Sequence, residues 1–141
     1  MPKPPCHRVV VAAIIENGHG AYLIQERPPG SWGAGFFEFP GGSVDEGENP
    51  RVALVRECDE ELGIRVEAGD IYDVRSHTYD FGMIILMFIS CKIIEGTPTS
   101  RENNPFRWAT PEEMDALPIL PADVPLIASL KTTPAVWKPA P

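Results

Sequence analysis

The chain has 141 residues, 43% hydrophobic and 23% charged, which suits one folded domain and excludes a disordered or fibrous protein. Its formal net charge of −8 argues against a nucleic-acid polymer or an anionic membrane as partner. The three scattered cysteines, Cys6, Cys58 and Cys91, form no C-x-x-C pair and suit a reducing cytoplasm, with neither a disulfide framework nor a zinc site. No signal-peptide core is evident at the N-terminus, and the longest apolar run, Met83–Ile89, is far too short to span a bilayer.

In chain order, residues 1–6 form a proline-rich lead-in, expected to be loose. Arg8–Ile15 is a β-branched run that reads as a buried strand. Glu16–Gly20 is a turn, and Ala21–Gln25 is expected to return as its hairpin partner. Arg27–Gly35, with two prolines and three glycines, is a loop carrying Trp32. Phe36–Phe39 is a short strand that ends at Pro40-Gly41-Gly42.

A helix is expected from about Pro50 to Leu62, with Asn49 as N-cap, Pro50 in the first position and Gly63 closing the C-terminus. Strands are expected at Ile64–Val66, Ile71–Thr78, Met83–Ile94 (long and central) and Phe106–Trp108. Thr110-Pro111-Glu112-Glu113 is a capping box opening a short helix to about Leu117. Leu126–Leu130 is a last helix, and residues 131–141 read as a loose, proline-rich tail. Strands outnumber helices, and their order argues for an α/β (α+β) sandwich in a single domain.

The long helix carries the chemistry. Leu54, Val55, Cys58 and Leu62 share one face, and Glu57, Glu60 and Glu61 fall on the adjacent arc at i, i+3 and i+4. Like charges at that spacing repel by about 0.2–0.5 kcal/mol per pair, so folding gives no reason to gather them. The arc is either a solvated face paired with Arg51 and Arg56, or a site for a hard divalent cation that takes carboxylate oxygens and carries phosphates.

The spacing decides between these. From Gly42 the chain reads Gly, five residues, Glu48, seven residues, then Arg56-Glu57-Cys58-Asp59-Glu60-Glu61-Leu62-Gly63-Ile64. This resembles the signature of the Nudix hydrolases at every fixed position, with Cys58 and Ile64 in its two apolar slots. So many fixed identities do not arise by accident at ordinary residue frequencies. Phe37–Gly42 and Pro121–Ala128 extend the likeness to the MutT-type nucleoside triphosphate pyrophosphohydrolases, over roughly residues 8–130.

The resemblance implies a Nudix-type α/β/α sandwich with a mixed sheet and the motif loop and helix at its edge. It implies metal ligation by Glu57, Glu60, Glu61 and the Gly41 carbonyl, with Gly42, Glu48, Arg56 and Gly63 supporting the motif. Glu102 stands where the subgroup keeps a further carboxylate near the metals, or is an exposed loop residue beside Arg101. The general base is expected to be Glu60 or Glu102. The implied cofactor is Mg²⁺, with Mn²⁺ as substitute, and the implied products are nucleoside monophosphate and pyrophosphate after attack at the β-phosphorus.

Arg27, Trp32 and Phe39 lie where the subgroup lines its nucleotide pocket. Phe39 could equally be core packing, and Trp32 could simply cover its loop. Asp123 replaces an asparagine that reads an oxidised guanine, or it is only an N-cap, and Gly82 replaces an arginine near the base. Both departures count against an oxidised guanine in particular, and a (deoxy)nucleoside triphosphate, of oxidised-purine or CTP type, leads as substrate. The alternatives are ADP-ribose or another nucleoside diphosphate derivative, and a sensor that binds nucleotide without turnover. The expected partner is this small molecule alone, bound to a monomer or homodimer.

Overall fold

The computed structural model describes residues 7–141; the lead-in expected to be loose, with Cys6, lies outside the described residues. Strand β1 (His7–Ile15) runs parallel to β6 (Gly82–Glu95). Antiparallel β5 (Arg65–Tyr79) flanks β6 and antiparallel β4 (Gly41–Ser43) flanks β1, giving a mixed sheet in the order β4-β1-β6-β5. A second, antiparallel sheet has the order β3 (Phe37–Glu38), β2 (Tyr22–Glu26), β7 (Phe106–Ala109).

The unbroken apolar run of β1 is explained by burial on both faces. Val11, Ala13 and Ile15 enter one core cluster with Leu54, Cys58 and Leu62 of α1 (Pro50–Leu62). Ala12 and Ile14 enter the other, with Met114 of α2 (Pro111–Met114) and Leu126, Ile127 and Leu130 of α3 (Val124–Thr132). Helices thus cover both faces of the strands, the α/β/α sandwich expected from the sequence. Among the described residues no helix is long and apolar enough to cross a membrane.

Several expectations are corrected. β1 and β2 do not form a hairpin: the turn closes through Asn17 N–H to Ala21 O at 3.0 Å and one bridge, Glu16 to Tyr22, and then the strands part into different sheets. The two strands expected after α1 are a single one, β5. Its register shifts between Arg65 and Asp73 are bulges that imitate a break in the sequence pattern. Gly41–Ser43, where the strand Phe36–Phe39 is expected to end, is a separate edge strand, β4.

The tail read as loose from residue 131 is docked. Helix α3 continues to Thr132, and Ala135 is buried, its N–H donating to the Tyr22 hydroxyl at 3.2 Å. Tyr72 Oη donates to Thr133 O at 2.6 Å, and Asp70 N–H to Lys138 O at 3.0 Å. Proline removes donors but leaves carbonyls free to accept, and here strand β5 supplies the N–H. Trp137 Nε1 donates to Glu67 O at 3.1 Å, with Lys92 Nζ 4.0 Å above its ring. Trp137→Ala is expected to cost about 1–2 kcal/mol, read as a lower urea midpoint at unchanged m-value.

Candidate functional site

Helix α1 is fixed at both ends as its sequence demands. Asn49 Oδ1 accepts from Arg51 N–H at 2.9 Å, and Gly63 closes the helix with φ 65°. With Leu54, Cys58 and Leu62 seated in the core, the arc bearing Glu57 and Glu61 turns toward the Gly41-Gly42 segment. The segment must be glycine. A Cβ on Gly41 (φ 156°) would lie 1.9 Å from Val11 O, and one on Gly42 would lie 2.6 Å from the Glu57 carboxyl.

Arg56 organises the loop before the helix. Its Nε and Nη2 each donate to Glu48 at 2.9 Å in a bidentate fork, while Nη1 donates to Glu57 Oε1 at 3.0 Å and to Glu60 Oε2 at 3.4 Å. Glu48 also accepts from Asp45 N–H at 3.0 Å, and the Arg56 guanidinium holds its carboxyl down at about 2. Glu61 is nearly buried, and its Oε2 accepts from Gln25 Nε2 at 2.7 Å and from Gly41 N–H at 3.3 Å. Burial pushes its carboxyl up to about 9 against the pull of Gln25, with the Glu57 charge adding to the rise. Glu57 is raised chiefly by burial too, although Arg56 opposes this.

A buried acid, Glu61, lies beside a half-buried one, Glu57, and the one cation at hand, Arg56, pairs with Glu57 and not with Glu61. Their oxygens are the hard donors a divalent cation prefers, and the missing Cβ of Gly42 leaves the space that the Glu57 carboxyl occupies. By donor chemistry the residues fit such an ion. Among the described residues no three acidic, His or Cys side chains close around one point, and Arg56 pairs with both Glu57 and Glu60. Glu60 is half exposed, and its contact with Arg56 is the longer of the two at 3.4 Å.

From the Gly41-Gly42 segment and Glu61, a cleft open to solvent extends past Arg27, Glu38, Phe39 and Asp123 to Trp32, Tyr79 and Phe81. Phe39 is 3% exposed and meets Phe88 edge-on at 6.1 Å, so it packs the core as well as lining the cleft floor. Trp32, 50% exposed, stands edge-on to Tyr79 at 4.7 Å and to Phe81 at 5.2 Å. Arg27 is committed: Nη1 pairs with Glu38 at 2.9 Å, Nε donates to Trp32 O at 2.5 Å, and the guanidinium lies 5.8 Å from the Trp32 ring.

Asp123 makes no capping hydrogen bond to α3. Its carboxyl is buried, accepts from Phe39 N–H at 3.2 Å, and is pushed up to about 8 by burial and then by Glu38. Glu102 is exposed on the loop between β6 and β7; its neighbour Arg101 reaches α1, N–H to Glu61 O at 3.0 Å. The structure brings Glu57 and Glu61 together with Gly41 and Gly42, and leaves Glu102 on the surface. Sequence reasoning missed Gln25, Glu38, Tyr79 and Phe81. Only Gln25 left a signal, a lone amide ending the apolar run Tyr22-Leu23-Ile24.

The NUDIX domain family matches residues 6–130. An Escherichia coli CTP pyrophosphohydrolase is 41% identical over 120 residues, covering 84% of this chain and 87% of the relative. An E. coli 8-oxo-dGTP diphosphatase is 32% identical over 122 residues, covering 86% and 95%. The solution structure of the E. coli ORF135 protein superposes with a TM-score of 0.75 at 37% identity, covering 92% of this chain and 95% of that one.

The buried Asp123 makes stability depend on pH. Its folded-state pKa of about 8 lies above the unfolded value, so its contribution is full below about pH 4 and is lost as pH rises toward 8. Asp123→Asn keeps an acceptor for Phe39 N–H and removes the titration. The fall in urea-unfolding free energy between pH 5 and 8 is expected to shrink by about 4 kcal/mol in this variant.

Proposed function

The chain belongs to the NUDIX domain family, whose hydrolases act on small nucleotide substrates with divalent metal ions, and on that premise we propose that it cleaves a (deoxy)nucleoside triphosphate to nucleoside monophosphate and pyrophosphate. One observation carries this reading: Glu57 and Glu61 lie beside the Gly41-Gly42 segment at one end of a cleft whose other end is aromatic. A triphosphate and a base need those two environments, one for charge and one for stacking.

The proposed ligands are Glu57, Glu60, Glu61 and the Gly41 carbonyl, for Mg²⁺ with Mn²⁺ as substitute. A bound divalent ion would supply charge neutralisation for the phosphates and a more acidic attacking water. The chain's own residues do the rest. Arg56, forked onto Glu48, holds the loop and offsets the acids around the site. Glu60, exposed and held by Arg56 at 3.4 Å, is the proposed base at its carboxylate, with Glu102 as the other candidate. Arg27, bound to Glu38 and Trp32, serves the substrate by steadying the tryptophan loop.

At the base end, Asp123 is largely neutral near pH 7 and can donate as well as accept a hydrogen bond. It can therefore present both faces of an asparagine-like pattern to a base edge. The CTP pyrophosphohydrolase relative is 41% identical and the 8-oxo-dGTP diphosphatase 32%, which puts a cytosine nucleotide ahead of an oxidised guanine. The cytoplasmic setting belongs to the same proposal, supported by the free, buried thiols of Cys58 and Cys91.

The test is Mg²⁺-dependent hydrolysis of CTP, dCTP, 8-oxo-dGTP and ADP-ribose in ¹⁸O-labelled water. Triphosphates are expected to turn over fastest, with the label in pyrophosphate and none in the monophosphate. ADP-ribose turnover above every triphosphate contradicts the substrate class, and binding without turnover points to a sensor. Glu60→Gln is expected to lower kcat by about 10²–10⁴-fold. Trp32→Ala is expected to raise KM about tenfold with kcat little changed, the signature of a lost stacking contact.

A further inference from the structure

Gln25 sits in β2, 2% exposed, at the end of an apolar run whose other members fill the core. Its Nε2 donates to Glu61 Oε2 at 2.7 Å, a bond that spans 36 residues of sequence and ties the three-stranded sheet to helix α1. Its Oε1 has no hydrogen-bond partner among the described residues. A buried amide with an orphaned acceptor is a poor choice for stability, because an apolar side chain of the same length would fill the space without that penalty. The donor end must therefore account for the residue.

We propose that Gln25 is a positioning residue for Glu61: its amide and Gly41 N–H pin one carboxylate oxygen so that the other is presented to the cation. Both donors land on Oε2, which fixes the carboxyl plane and leaves Oε1 for a ligand. Glu57 and Glu60 have no comparable support. They share Arg56, a partner on their own helix that also serves Glu48. Glu61 is thus the preset ligand around which the other two adjust, and the partner that presets it comes from a different sheet. This inference rests on the reading of Glu61 as a metal ligand.

The test is Mn²⁺ binding without nucleotide, followed by the electron paramagnetic resonance signal of the free ion, beside thermal melts in EDTA. Gln25→Met keeps the length and removes the donor; Gln25→Asn keeps the amide but falls short of Glu61. Both are expected to raise the Mn²⁺ dissociation constant by about 10–100-fold. The Met variant is expected to melt close to the parent in EDTA, since removing the orphaned amide oxygen offsets the donor that the Glu61 carboxyl loses.

Parent-like Mn²⁺ affinity in Gln25→Met, with affinity lost in Glu61→Gln, overturns the positioning role and leaves the proposed function standing. Parent-like affinity in Glu61→Gln overturns Glu61 as a ligand and the positioning role with it. Affinity lost in the Met variant only together with a large fall in melting temperature in EDTA assigns Gln25 to the core and also overturns the proposal.

Discussion

The site depends on one uncomfortable contact, the burial of Glu61 beside Glu57 against a backbone that has no side chains of its own. Core packing forces it. Leu54, Cys58 and Leu62 set the rotation of α1, and that rotation carries the neighbouring arc inward. Gly41 and Gly42 then clear the space, since a Cβ on either would strike Val11 O or the Glu57 carboxyl. Nothing in the packing requires an acid at these positions. Under the proposed function, a cation and its phosphates return what burial takes away.

The rest of the cleft follows from how the chain reaches that contact. Strand β4 at the edge of the mixed sheet delivers the glycines, and the loop to Pro50 is stapled by the Arg56–Glu48 fork. The aromatic end is built from the long loop after β2 and the turn between β5 and β6, with Arg27 holding the loop through its backbone and Glu38. Rigid elements thus carry the acidic end and loops carry the aromatic end. Under the proposed function, loops can vary at the base end while the acidic end stays fixed.

What the sequence revealed divides along the same line. Helix α1, both of its caps and the motif spacing were legible because each depends on residues close together in the chain. So was the capping box at Thr110, where both reciprocal bonds form. The β1–β2 hairpin misled because a turn sets local direction, and the sheet each strand joins is set by distant partners. The tail misled because its anchors, Tyr22, Tyr72 and Glu67, are 60 or more residues away. Gln25 was hidden for the same reason, while Arg27 was visible as a charge but not as one already spent on Glu38 and Trp32. Asp123 illustrates a subtler gap: its residue type says acceptor, and only burial makes it a donor at neutral pH.

The central claim is that the acids of α1 are gathered for a cation, and thermal unfolding in Mg²⁺ against NaCl of matched ionic strength tests it most directly. Specific binding stabilises the folded chain in proportion to the logarithm of free metal, by about 2.7 kcal/mol at a hundred times the dissociation constant. The expected result is a melting temperature that climbs with Mg²⁺ well beyond the NaCl control and loses that climb in Glu57→Gln. An equal, small rise in both salts would mean that the acids are merely screened, and would contradict the account.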